Sequence, residues 1–427
     1  MTMLQRTLTL IAILFLGANR VAADEPAAAD QPAVEAKSVP TLQTLWEAQA
    51  VLNVDRDKVA HIVNDEDVVY VQSTAGVVTA INAETGREMW TTQVGRTDEV
   101  SMPATSNAGI VMIVAGPKLY AMDKFTGRQL FSYRLNSQPS AGPVITEGSF
   151  LVPLSDTSVA ACSLKTLQYL ERYQKLPAGV AQPVAWRFVT GEVIKTAPVA
   201  GASRCAFVTD HGNVFVVDIG GVRSGKSKFQ FLLQSHPTAP LTLASRDQEY
   251  LFAAAANNRL YCIGLNTNGR MQWTYPLGQR VSEPITVIGQ DVYVVGDEGE
   301  LMALGLKSGL PQQTTSGKPF ALTNVKTLVS VSENAVYVLD SSGRLLTVDR
   351  KTGEVLEKTE FPGLNVPIRN SVTDRLYLSS TSGRVVCLSE SGVDFPIYHQ
   401  NPKRSPIMPG IAEPAPAAAT EAVDGNN

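Results

Sequence analysis

The chain is poor in the residues that carry chemistry. It holds four Cys and four His in 427 residues, and no two Cys are adjacent. His61, His211, His236 and His399 follow no metal-ligand spacing. No Gly-rich loop leads from a strand into a helix, and there is no Gly-x-Ser-x-Gly elbow, so the usual phosphate-cradling and serine-nucleophile signatures are missing. An excess of either charge is also missing. The formal net charge is −4 and no Lys/Arg cluster appears, so nucleic acid is not an expected partner. The apolar run "LTLIAILFLG" at 8–17 is shorter than the roughly 20 residues that span a bilayer.

That run follows Arg6 and precedes "VAADE", the pattern of a secretory signal cleaved after Ala23. The expected organisation is a signal peptide at 1–23, an Ala/Pro-rich disordered linker at 24–40, a folded body at 41–400 and a disordered tail at 401–427. No Cys lies near the cleavage site to take a lipid, and no transmembrane segment is expected after signal removal. The mature protein is expected to be exported, periplasmic or associated with the cell envelope.

What the chain does have is repetition. "AINAETGREMW" at 80–90 returns as "AMDKFTGRQLF" at 121–131, with the same places for a small residue, an Asn or Asp, a Thr-Gly pair and a large aromatic. With the second of these places as anchor, the unit recurs at Asn82, Asp123, Ser163, Asp218, Gly264, Gly305, Asp349 and Ser389. The mean interval is about 44 residues, within the range of propeller blades. A turn residue lies six before each anchor, from Gly76 to Gly383, and a strand residue twelve before it, from Tyr70 to Tyr377. With the 32 Gly and 25 Pro falling mostly between short apolar runs, each unit reads as four antiparallel strands. The predicted fold is all-β: an eight-bladed β-propeller of four-stranded antiparallel blades.

The four Trp then share one structural role. The eighth unit ends without an aromatic strand, while "TLQTLWEAQAVL" at 41–52 has one with no unit ahead of it. Trp46 is therefore expected to complete blade eight and close the ring. Trp90, Trp186 and Trp273 serve blades one, three and five, and Phe131 and Phe229 or Phe231 replace Trp in blades two and four. Blades six and seven have Gln313 and Glu357 where the aromatic belongs. Gly86, Gly127 and Gly353 are expected to form the turns of the docking motif. The stretch 164–186 interrupts blade three, with a short helix carrying Leu167, Tyr169, Leu170 and Tyr173. It reads either as a partner-binding projection or as packing against blades three and four.

Small-x-Asp-x-x-Thr-Gly-x-x-x-Trp resembles the tryptophan-docking motif of the quinoprotein-type (PQQ-like) β-propeller repeat family over about residues 41–395. Trp-Asp and Gly-His dipeptides are absent, so the WD-repeat alternative does not fit. Within the PQQ-like group the chain resembles the BamB family. That resemblance implies a non-catalytic, protein-interaction scaffold in outer-membrane or envelope protein assembly, with no cofactor, no metal and no catalytic residue. Two alternatives stay open: a carbohydrate- or peptide-binding propeller using the axial pocket, and a divergent PQQ-dependent dehydrogenase. The dehydrogenases of this group need a catalytic carboxylate, a Ca²⁺ site and usually adjacent cysteines, none of which stands out here. The protein is expected to be a monomer with a protein partner. Its expected partner-binding rim includes Arg96, His211, Arg280 and Asp297, in the loops of one propeller face. Cys162, Cys205, Cys262 and Cys387 are expected to be buried free thiols, with a Cys162–Cys205 bond as the alternative.

Overall fold

The computed structural model describes residues 39–53, 55–180 and 182–406. The expected signal peptide, all but the end of the linker, and residues 407–427 lie outside the described residues.

Eight four-stranded antiparallel sheets are arranged as blades in a ring, so the chain is an eight-bladed β-propeller. Seven blades use consecutive strands, as in blade one: Val59–Asn64, Val68–Ser73, Val77–Asn82 and Glu88–Gln93. Blade eight takes Val366–Ile368, Leu376–Ser379 and Arg384–Glu390 from the carboxyl end and Leu42–Gln49 from the amino end. That closing strand pairs along its length, from Leu42 opposite Glu390 to Gln49 opposite Arg384, and sets Trp46 opposite Cys387. A sheet left with three strands would expose a row of unpaired backbone groups, and the pairing removes that edge.

Successive residues of a strand point to opposite faces of the sheet, and here each face meets a different blade. In blade one Val68 and Tyr70 share an apolar cluster with Val111 and Ile113 of blade two. Val69 and Val71 share another with Tyr377 and Cys387 of blade eight. This explains why Val68–Ser73 is buried at every position and opens with a continuous apolar run, Val68–Val71, rather than an alternating one.

The repeat motif works at these blade contacts. A small residue on the third strand lies between two large ones: Tyr70, Ala80 and Trp90 stand side by side across three strands. With only a methyl between them, the Tyr70 and Trp90 rings approach to 6.2 Å. Tyr377, Cys387 and Trp46 repeat the arrangement at 5.9 Å, and Phe252, Cys262 and Trp273 at 5.8 Å. The indole then reaches the following blade. Trp46 Nε1 donates to the Ala83 carbonyl at 2.9 Å, Trp90 Nε1 to Lys124 at 2.8 Å and Trp273 Nε1 to Leu306 at 2.8 Å. The acceptor follows the anchor residue each time. The anchor itself shapes the turn: Asp123 Oδ1 accepts the Phe125 and Thr126 amides and the Thr126 hydroxyl. Partial burial acts against it, but these bonds hold the Asp123 carboxyl below its ordinary range.

The turn glycine is required by contact as well as conformation. Gly127 has φ +68°, and a Cβ there would lie 2.6 Å from the Trp90 ring; Gly86 stands in the same relation to Trp46, and Gly225 to Trp186. In blade four the ring is Phe229, opposite Val216 and against Gly269, while Phe231 packs on Tyr261.

Three places depart from the regular unit. Blade six has not lost its aromatic at Gln313. Its fourth strand, Ala321–Leu322, follows an excursion over 310–319 that carries Phe320 into the docking place. There Phe320 lies 6.5 Å from Tyr293 and about 3.5 Å from where a Cβ of Gly353 would stand. A fixed offset from the anchor misses it because the inserted residues shift the register. Blade seven does lack the ring, with Glu357 opposite Thr347. In blade three the Thr-Gly turn is replaced by the helix Leu164–Tyr173, whose N-cap Ser163 Oγ accepts the Thr166 amide. Its buried Leu164 and Leu167 join Phe131 in one cluster. The helix thus packs on blades two and three, not three and four, and covers the ring that a glycine turn covers elsewhere.

Candidate functional site

A propeller has two faces. One carries the hairpin between the second and third strands of each blade and the link to the next blade. The two are tied together: Val94 N–H bonds the Gly76 carbonyl, Leu135 bonds Pro117, Leu233 bonds Gly212 and Leu277 bonds Asn258, all at 2.8–3.0 Å. This is the face of the expected rim. Arg280, in the link from blade five, lies 3.7 Å from Asp297 in the hairpin of blade six. Arg96 and Asp98 form an exposed pair in the link from blade one. His211 sits in the blade-four hairpin, with Nδ1 3.1 Å from Asp210 and its ring 6.0 Å from His236. The four residues are thus distributed around the rim, and the fold brings together only Arg280 and Asp297.

Sequence reading treats His211 as isolated, but the fold supplies it with Glu192 and Asp210, whose ligand-type atoms all lie within 4.8 Å of one another. Glu192 was not foreseen. It comes from the link after blade three, and no local pattern ties it to a hairpin some twenty residues later. Hydrogen bonds from Thr209 and Asn213 lower its carboxyl below the ordinary range. Lys195 stands 3.4 Å from Asp210. The carboxylates are therefore already engaged by the chain's own donors and do not form an open cation site.

The four cysteines are free and buried, each in a different apolar cluster. Burial pushes the Cys162 and Cys262 thiols up to about 12, which leaves them protonated and unreactive. None can offer the adjacent thiol pair usually associated with a quinone cofactor in this group.

The other face carries the hairpin between the first and second strands and the docking turns. Here a cleft of about 670 Å³ opens between blades one and two, lined by Asp65, Glu66, Asp67, Lys124, Glu147 and Arg404 among others. Lys124 is only 3% exposed and lies 3.0 Å from Asp65 and 2.9 Å from Asp67. A buried ammonium needs such partners. Over this face runs a strap formed by residues 393–406. Buried Arg375 donates to the carbonyls of Val393 and Asp394 and to Glu84. Tyr398 bridges Thr373, His399 N–H bonds the Val372 carbonyl, and Gln400 accepts from Arg246 at 2.7 Å. Arg404 Nη2 then donates to Asp67 at 2.6 Å, and the same guanidinium pairs with Glu66.

The His399 ring gives this strap a pH dependence. Its Nε2 is shielded and has no hydrogen-bond partner among the described residues. Burial lowers its pKa to about 4, helped by the charges of Arg350 and Arg246 and opposed by a backbone hydrogen bond at Thr373. The unfolded chain takes up this proton near 6.5 and the folded chain only near 4, so stability falls as pH drops from about 6.5 to 4 and then levels. The loss is at most about 3 kcal/mol. The carboxyls of Glu84 and Asp374, both raised chiefly by burial, titrate nearby with the opposite sign. Comparing wild type with His399→Gln in urea melts at pH 7.5 and 4.5 isolates the histidine: the wild type is expected to lose about 2–3 kcal/mol more. Equal losses would refute the assignment.

The family model described as outer membrane protein assembly factor BamB matches residues 75–227 and 221–395, well over half of the chain. The chain belongs to the BamB family. Among relatives, the outer membrane protein assembly factor BamB of Shewanella oneidensis is 21% identical over 331 residues, covering 75% of this chain and 68% of that protein. BamB of Salmonella typhimurium is 30% identical over a shorter stretch, 118 residues, or 26% of this chain and 29% of that one. The crystal structure of BamB from Moraxella catarrhalis superposes with a TM-score of 0.59 at 16% identity, covering 82% of this chain and 98% of that one. The computationally designed Ika8 protein superposes almost as well, with a TM-score of 0.57 at 15% identity, covering 81% and 99%. At such identities the superpositions speak to the fold alone, and membership in the BamB family rests on the family match.

Proposed function

We propose that this protein is a non-catalytic, exported scaffold in outer-membrane or envelope protein assembly, binding a protein partner through the polar rim of the propeller. The observation that carries the reading is the family match over 75–395, spread across the eight-bladed ring rather than confined to one segment. The rim supports it. Arg96, His211, Arg280 and Asp297 present both signs of charge from separate loops, the polar composition of a recognition surface. The buried protonated thiols and the self-satisfied Glu192–Asp210–His211 cluster favour a binding role over a reacting one. Among the described residues no helix is long and apolar enough to cross a membrane.

The test is capture from the envelope fraction of the native cell after in vivo crosslinking. The tagged full chain is expected to retain a component of the outer-membrane protein assembly machinery. The triple variant Arg96→Glu, His211→Ala, Arg280→Glu is expected to retain at least tenfold less, with an unchanged melting temperature. Failure of the wild-type chain to capture any such component would overturn the assembly role. Undiminished capture by the triple variant would overturn the rim.

A further inference from the structure

The acidic cleft on the face opposite the rim is occupied by the chain itself, and the manner of occupation points to what else it binds. Gln400 of the strap touches Arg246 in blade five, and Arg404, four residues later, touches Asp67 in blade one. Blades five and one are diametrically opposite in a ring of eight. The chain turns between these contacts, with the Arg404 N–H bonding the Asn401 carbonyl at 2.9 Å, and the long Arg246, Gln400 and Arg404 side chains complete the span, so residues 400–404 lie over the mouth of the central channel between the two blades.

The far end of that crossing is a receptor for a guanidinium. Asp67 and Glu66 accept the two ends of the Arg404 fork, and the Tyr398 ring lies 5.1 Å from its central carbon. An acidic pair and an aromatic face together suit arginine better than lysine, whose ammonium is a point charge. The two cations at the cleft are not equivalent. Lys124 projects from the framework of blade two and is almost completely buried, so it is a fixed counter-ion. Arg404 enters from an irregular segment, and Lys403 and Ser405 on either side of it are exposed. Without it, the four carboxylates of Asp65, Glu66, Asp67 and Glu147 face the single ammonium of Lys124. A second observation is independent of the acids. Tyr398 is 1% exposed, its hydroxyl has no partner among the described residues, and it lies within electrostatic reach of Asp67 and Glu84. The site therefore retains an unused buried polar group beside the seat of the guanidinium.

We propose that this axial mouth is a binding site for a polypeptide segment bearing an arginine, supplied by another protein, and that residues 401–406 occupy it as an intramolecular competitor. The site lies on the face away from the rim and stands independently of the assembly role. A partner arginine enters the Glu66–Asp67 seat as Arg404 leaves, the partner backbone takes the place of 401–406 over the channel mouth, and the paired part of the strap, Ile397–His399, stays in place.

The experiment uses the full mature chain, the full chain with Arg404→Ala, and the chain ended after Gln400, which keeps the Tyr398 and His399 pairing. The probe is a fluorescein-labelled NPKRSP peptide, followed by anisotropy at low salt. The shortened chain and Arg404→Ala are each expected to bind it at least tenfold more tightly than the full wild-type chain. The gain is expected to disappear with the NPKQSP peptide, and to disappear when Glu66→Gln is added to either variant. Binding of NPKRSP to all three proteins within a factor of two would overturn the competitor. Equal binding of NPKQSP would overturn the arginine seat. Free arginine binding as tightly as the peptide would overturn the polypeptide assignment.

Discussion

Removal of residues 39–49 is expected to abolish the cooperative fold rather than trim it. The strand Leu42–Gln49 is the outer strand of blade eight and holds Trp46, which is 7% exposed, against Tyr377 and the Ala83 carbonyl of blade one. Deleting a buried Trp alone costs about 3–5 kcal/mol, and the deletion also strips the hydrogen-bond partners from Arg384–Glu390 and opens a sheet edge. Against a typical total stability of about 5–15 kcal/mol this is enough to unfold or aggregate the protein. The comparison that isolates closure is Trp46→Ala in the full chain, which loses the ring but keeps the ladder. It should fold with a lowered melting temperature, whereas the deletion should elute as aggregate in size exclusion. A monomeric deletion variant melting within a few degrees of wild type would mean that the ring does not depend on its amino-terminal clasp.

The second large effect concerns the pair that joins blades one and two. Trp90→Ala is expected to cost about 3–5 kcal/mol, since it removes a buried indole, its bond to the Lys124 carbonyl and its contact with Tyr70. Gly127→Ala is expected to cost about 2–4 kcal/mol, from a positive φ and a methyl set 2.6 Å from the indole. Two control glycines separate these contributions. Gly343 has φ +81° but open space at its Cβ, so Gly343→Ala should show the backbone cost alone, about 1 kcal/mol. Gly109 has neither constraint, and Gly109→Ala should be nearly neutral. In the double variant the methyl no longer meets a ring, so its cost should fall short of the sum by about 1–2 kcal/mol. Denaturant melts of the five variants check this. Strict additivity of Trp90→Ala and Gly127→Ala would mean that the glycine is held by its backbone conformation and not by the ring.

Much of this architecture is legible because it is periodic. A blade is a local unit, and the turn, the small residue and the aromatic stand at nearly constant offsets. Their recurrence from Asn82 to Ser389 therefore specifies eight units, and the leftover aromatic strand at Trp46 specifies how the ring closes. Where the period slips, the reading slips with it. Phe320 escapes a fixed offset because the excursion over 310–319 precedes it. The helix Leu164–Tyr173 is visible as an interruption, but its place over Phe131 depends on which neighbouring blade offers an uncovered ring.

The surfaces are of another kind. Nothing in the spacing of Glu192 and His211, or of Asp67 and Arg404, announces that they meet, because each contact joins loops whose lengths vary freely while the strands between them are held. Amino-acid order alone determined the blade count, the closed ring and the docking positions of the regular blades, since these follow from short-range turn chemistry and from the recurrence of side chains at fixed places along strands. Only the tertiary structure decided that rim charges form separate clusters, that Asp65, Glu66 and Asp67 make a cleft around a buried Lys124, and that the carboxyl segment touches both blade five and blade one in reaching it. Those depend on the curvature that brings blade five, blade eight and blade one around a common channel, a long-range geometry that no local pattern encodes.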